Sequence, residues 1–145
     1  MIISILKELT ENENRVAATP QSVKDLIKNG VSVNIESGAG DFSFISDDDY
    51  KQSGANVCSN PKEAIKDCDI IVKVNPPSKE EIDTFPEGKA FISFIQTTKE
   101  LDIVNRLAKR KMTSFSMHLI PRTTLAQSMD AVSYTHLTLP TKRIV

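Results

Sequence analysis

Short apolar runs alternate with amphipathic stretches through the first 120 residues of this chain, and that alternation restricts its fold more than anything else. The runs Ile2–Leu6, Val31–Ile35, Asp69–Asn75, Ala90–Ile95 and Thr113–Ile120 read as strands. The third holds Ile70, Ile71, Val72 and Val74 almost without interruption, as a strand buried on both faces does. Helix signals fill the gaps. Thr19 is an N-cap before an N1 proline, Pro20, and Gly30 stands where a left-handed C-cap belongs. Ser46-Asp47-Asp48-Asp49, Asn60-Pro61 and Ser78-Lys79-Glu80-Glu81 each open a short helix. Lys99–Lys111 sets Leu101, Val104 and Leu107 on one face. Strands separated by helices of this length form a parallel sheet covered on both sides. The expectation is an α/β domain, doubly wound around a mainly parallel sheet of about five strands, of Rossmann/flavodoxin-like type.

Composition supports a single folded domain and excludes several classes. The 145 residues are 39% hydrophobic and 26% charged, ordinary values for a globular chain. A net charge of -1 gives no basic excess for nucleic acid. No apolar run nears the roughly 18 residues of a membrane span. Ile2–Leu6 is too short for a secretory signal, and Lys7-Glu8 follow it directly. Cys58 and Cys68 fit no metal or redox spacing and read as free thiols packed in a core.

From Val132 the periodicity stops. The run Val132–Thr141 resembles the translation of a synthetic sequencing-library adapter. The expected organisation is therefore a domain over 1–131, incomplete at its C-terminal end, and a non-native tail over 132–145.

Four motifs stand in a fixed order along the domain. They are Lys7-Glu8 with Glu13-Asn14-Arg15-Val16-Ala17-Ala18-Thr19-Pro20, then Glu36-Ser37-Gly38-Ala39-Gly40, then Lys73-Val74-Asn75-Pro76. The last is Pro121-Arg122 with Ala126-Gln127-Ser128-Met129-Asp130-Ala131. Gly38-Ala39-Gly40 does not open a glycine-fingerprint helix and reads as a turn. In this order the motifs resemble the N-terminal domain of the alanine dehydrogenase/NAD(P) transhydrogenase superfamily, and within it the transhydrogenase alpha-subunit branch.

Two positions separate the branches by chemistry. An amino-acid dehydrogenase needs a cation for a 2-oxo acid carboxylate and an acid–base group at the reacting carbon. Where such enzymes resemble this chain but carry a Lys and a His, it has Asn75 and Gln96. Neither amide titrates near neutral pH. Direct hydride transfer between two nicotinamides needs no such pair, since both reacting atoms belong to cofactors.

The resemblance implies NAD(H) as cofactor, with Arg122, Gln127, Ser128 and Asp130 contacting its nicotinamide end, and Arg15, Lys73, Asn75 and Gln96 around a cleft. It also implies NADP(H) on a partner beta subunit, a membrane component, a homodimer in the parent, and no metal. The parent would be a proton-translocating enzyme, with this part peripheral on the cytoplasmic side of the inner membrane. The glycine-rich Rossmann fingerprint that grips pyrophosphate does not occur here, so the fragment itself is expected to be inactive. The alternatives are the N-terminal domain of an alanine or saccharopine-type dehydrogenase, or a non-enzymatic α/β binding domain. A receiver domain would need an acidic pair after its first strand and an Asp after its third. Lys7-Glu8 and Asn75-Pro76 stand there instead. His118, in a predicted buried strand, is expected to be structural. Asn75 and Gln96 are expected to flank one cleft at adjacent strand ends.

Overall fold

Caps decide where the helices begin. The computed structural model describes residues 1–129. Helix α1 (Pro20–Lys28) starts at Thr19, whose hydroxyl accepts from Ser22 N–H while the Ser22 hydroxyl accepts from Thr19 N–H. Helices α2 (Asp47–Gln52) and α4 (Lys79–Thr84) start with the same reciprocal box, Ser46 with Asp49 and Ser78 with Glu81. Asn60 caps α3 (Pro61–Ile65), and Pro61 sits in its first turn. Gly30 follows α1 at φ +79°, a left-handed position that favours glycine.

The strands are β1 (Ile2–Ile5), β2 (Ser32–Glu36), β3 (Asn56–Cys58), β4 (Ile70–Val72), β5 (Ala90–Ser93) and β6 (Thr113–Ser116). All pair in parallel, in the order β3-β2-β1-β4-β5-β6. The parallel α/β class expected from the sequence stands, with six strands where five were read. The added one is β3, three residues long and set beside β2 with Ile35 opposite Val57. A strand that short is below the length at which alternation shows.

Side chains alternate between two cores, as the two-residue period of a strand requires. Ile3, Ile5, Val33 and Ile35 pack with Val23 of α1 and Tyr50 of α2. Leu6, Ile71 and Phe91 point to the other face, against Ile65 of α3, Ile82 of α4 and Leu107 of α5 (Leu101–Lys109). The Phe91 ring stacks on Phe85 with centroids 5.5 Å apart. Cys58 and Cys68 are free and buried, and burial pushes both thiols up. No described helix is long and apolar enough to cross a membrane.

Two sequence expectations need correction. On α5 the inward face is Ile103, Val104 and Leu107, while Leu101 is 60% exposed. Leu101 is the first residue of the helix and lies outside the packed face. The last strand ends at Ser116 and passes into a 3-10 turn, Met117–Leu119. The Ser116 hydroxyl donates to Ile95 O at 2.6 Å and sits at this break. His118 is therefore exposed on the turn and not buried in a strand.

Candidate functional site

Strand order reverses on either side of β1, since β2 leads one way and β4 the other. At such a switch point the loops leaving neighbouring strands diverge and open a crevice at the carboxyl ends of the strands. A cleft of about 760 Å³ lies there. Leu9, Thr10 and Arg15 line it from the loop after β1, Lys73 and Asn75 to Ser78 from the β4–α4 turn, and Phe94 and Gln96 from the end of β5. Glu81, Glu100, Ile103 and His118 complete the wall.

Three carboxylates organise it. Glu8, just past β1, is buried and accepts from two consecutive backbone N–H groups, Val74 at 2.5 Å and Asn75 at 3.2 Å. Burial pushes its carboxyl up, while the Val74 N–H and the Lys73 ammonium pull it back. Glu13 accepts from Arg15 at three donors, the backbone N–H at 2.9 Å and Nε and one terminal nitrogen at 2.8 Å each. A fourth donor, Asn75 Nδ2, lies 2.7 Å away. Those hydrogen bonds from Arg15 hold the Glu13 carboxyl down to about 2, and the same contact raises Arg15. Glu81 uses one oxygen to close the helix cap on Ser78 N–H and the other to meet Lys73 Nζ at 2.7 Å. The Lys73 side chain is only 2% exposed, so its charge is neutralised inside the wall.

The four cleft residues named from the sequence, Arg15, Lys73, Asn75 and Gln96, thus line one cleft. The loop residues do not join them. Arg122, Gln127 and Ser128 are exposed, the latter two on a 3-10 turn, Thr124–Met129, and none lines the cleft. Asp130 and the expected boundary and tail from 132 lie outside the described residues. The sequence does not single out Glu81 and His118, which line the cleft, or Glu8 and Glu13, which tie its loops together. Glu13 had a signal, two places before Arg15 in one motif, and Glu81 had the capping-box spacing after Ser78. His118 had none, because its strand was read too long. Its ring now packs edge-on to Phe94 with centroids 5.4 Å apart. Gly38-Ala39-Gly40 forms the expected turn. A Cβ at Gly40 would stand 2.7 Å from Ile45 O and 2.8 Å from the Tyr50 ring, so packing within the chain accounts for that glycine. Among the described residues no group of three His, Cys, Asp or Glu is placed to hold a metal.

A doubly wound parallel sheet with a cleft at its switch point defines a Rossmann-like domain. More particularly, the chain belongs to the family described as alanine dehydrogenase/PNT, N-terminal domain, whose profile matches residues 4–137. It is 38% identical over 133 residues to the NAD(P) transhydrogenase subunit alpha of Haemophilus influenzae, covering 92% of this chain and 26% of that protein. An alanine dehydrogenase of Methanococcus maripaludis is 34% identical over 120 residues, covering 83% of this chain and 32% of the dehydrogenase. Among solved structures, a transhydrogenase from Sinorhizobium meliloti superposes with a TM-score of 0.85 at 38% identity, over 90% of this chain and 39% of that one. The chain spans well under half the length of each of these relatives.

Proposed function

We propose that this chain is part of the NAD(H)-binding subunit of an NAD(P) transhydrogenase, which passes hydride between NAD(H) and NADP(H) and couples it to proton translocation. The observation that carries this reading is the pairing of Asn75 with Gln96 in one cleft whose cations, Arg15 and Lys73, are each matched by a carboxylate. Two amides can hydrogen-bond a carboxamide in plane but cannot shuttle protons near neutral pH. That suits a reaction in which a nicotinamide supplies the hydride chemistry and the protein only holds and orients it. The donor set fits the carboxamide of a nicotinamide, a group neutral in both redox states. It offers nothing for pyrophosphate, because the Gly40 turn is filled by Ile45 and Tyr50.

In the same reading Arg122, Gln127, Ser128 and Asp130 form a loop that meets the nicotinamide end of NAD(H). NADP(H) is carried by a partner beta subunit, and a membrane component holds this part at the cytoplasmic face of the inner membrane. The parent is a homodimer, and residues 132–145 are foreign to it. The test is a polypeptide extended to the length of its relatives and assembled with its partners. Hydride transfer from NADPH to an NAD analogue with a shifted absorbance is the expected result, and none in an intact complex would overturn it. The 145-residue chain is itself inactive and binds NADH weakly. Saturation at micromolar NADH would contradict that part.

One observation favours a second reading, an alanine dehydrogenase. His118 brings to the cleft wall an imidazole, the side chain most often used as a general acid or base. Alanine-dependent reduction of NAD by the extended polypeptide, lost in His118→Asn, would decide for it.

A further inference from the structure

We propose that the outer edge of β6 is an interface for a second copy of this chain, whose own β6 pairs with it antiparallel about a two-fold axis at Phe115. The proposal goes beyond the transhydrogenase reading and does not rest on it.

A strand of a parallel sheet is ordinarily covered on both faces. In β6, however, Thr113, Ser114 and Phe115 are exposed and only Ser116 is half-buried. The Phe115 ring, 56% exposed, stands beside Ile92 of β5 on the face where α1 and α2 pack. The core under those two helices reaches no residue of β5 or β6. Helices α4 and α5 pack on the opposite face.

The edge is open as well. Thr113 N–H donates to Lys89 O, so Thr113 and Phe115 turn their backbone groups toward β5, and Ser114 and Ser116 turn theirs outward. Beyond the sheet, no described group bonds the backbone N–H or C=O of either serine. An unpaired edge is a template for another strand unless Lys, Pro or an inward charge guards it. Met112 to Ile120 contains no Lys, Arg, Asp, Glu or Pro.

The same run fits a copy of itself. Laid antiparallel with Phe115 opposite Phe115, it sets Ser114 against the partner's Ser116 on either side of the axis. Each of those two pairs exchanges both backbone hydrogen bonds, and the Phe115 rings meet between them as a close cross-strand pair. No charge opposes a like charge, because the basic run Lys109-Arg110-Lys111 lies beyond the paired residues. The other edge of the sheet is a poorer match. Cys58 O accepts from Ser37 N–H, which turns Asn56 and Cys58 toward β2 and leaves Val57 alone facing outward. Pairing β6 with β6 also closes after two copies, whereas β6 on β3 would repeat without closing.

The test is sedimentation velocity of the 145-residue chain at concentrations up to about 1 mM, the weak end of specific affinity. Amide hydrogen exchange is followed by NMR over the same series. The expected result is a reversible monomer–dimer equilibrium. Protection of Ser114 N–H should grow with the dimer, while β5 protects Phe115 N–H at every concentration. Ser114→Pro removes an outward donor without touching the ladder to β5, and Phe115→Lys sets two cations face to face. Each should weaken the dimer by about tenfold or more. Phe44→Lys, at a ring 96% exposed after β2, should leave it unchanged. Circular dichroism establishes that each variant is folded. Should Ser114→Pro fail to fold, Phe115→Lys decides alone. A chain that stays monomeric throughout would overturn the proposal, as would a dimer undiminished in the folded β6 variants or equally weakened by Phe44→Lys. Protection of Ser114 N–H that ignores concentration would overturn it too, by assigning the edge to a segment of the same chain.

Discussion

Asn75 and Glu13 stand 62 positions apart in the chain and meet through a single hydrogen bond of 2.7 Å, the Asn75 amide donating to the Glu13 carboxylate. Glu8 makes a parallel tie, from the same loop after β1 to the N–H groups of Val74 and Asn75. The long connection between β1 and α1 thereby takes its shape from the β4–α4 turn across the switch point. Arg15 reaches the cleft because those two ties hold the loop that carries it.

Replacing Asn75 with Ala removes one bond to a charged acceptor and leaves the backbone tie to Glu8. A loss of about 1–2 kcal/mol of stability is expected, read as a lower urea midpoint with an unchanged slope. Asn75→Asp should lose more, because it sets a second carboxylate against Glu13.

Acid should loosen the same loop. The folded pKa of Glu13, about 2, lies below its usual value of 4.5, so its contribution is complete above about pH 4.5 and fades as the pH falls toward 2. Glu8 and Glu36 have the opposite sign: burial raises them, so protonating them on acidification relieves a cost. The acid limb of a stability–pH curve between pH 4.5 and 2 should therefore flatten in Glu13→Gln. A limb unchanged in that variant would place the acid sensitivity elsewhere.

The Lys73–Glu81 pair should respond unequally to loss of either partner. Glu81→Ala strands a nearly buried ammonium and breaks the cap on Ser78, for an expected loss of about 3–5 kcal/mol. Lys73→Met removes the buried charge and leaves Glu81, which is more exposed, with its cap intact. Its cost should be clearly smaller. Thermal melts of the two variants, side by side, give the comparison.

Alanine at two glycines should separate crowding from backbone strain. At Gly40 φ is not positive, but the added Cβ meets Ile45 and Tyr50 at under 3.0 Å, so an overpacking loss of about 1–3 kcal/mol is expected. At Gly30 nothing lies within 4 Å, and the loss comes from φ +79° alone, about 1–2 kcal/mol. Only the Gly40 variant should disturb the fluorescence and thermal response of the nearby Tyr50 ring.

The sequence by itself determined the parallel α/β class, the four capped helix starts and the meeting of Asn75 and Gln96 at one cleft. Each rests on a local rule: caps act over three residues, strand alternation over two, and the switch point follows from the element order. Asn75 and Gln96 were legible as neighbours because each ends a recognisable apolar run. Tertiary structure alone decided the rest. The three-residue β3 exists because β2 offers it a partner, and nothing within Asn56–Cys58 announces that. His118 faces the cleft because the chain turns at Ser116, whose hydroxyl is taken by Ile95 O. The charge state of the cleft depends on which carboxylate meets which cation, Glu13 with Arg15 and Glu81 with Lys73. The loop that carries Glu13 is fixed in turn by Asn75, 62 residues away. Pairings across such distances are set by packing of the whole sheet, and no window of sequence contains both partners.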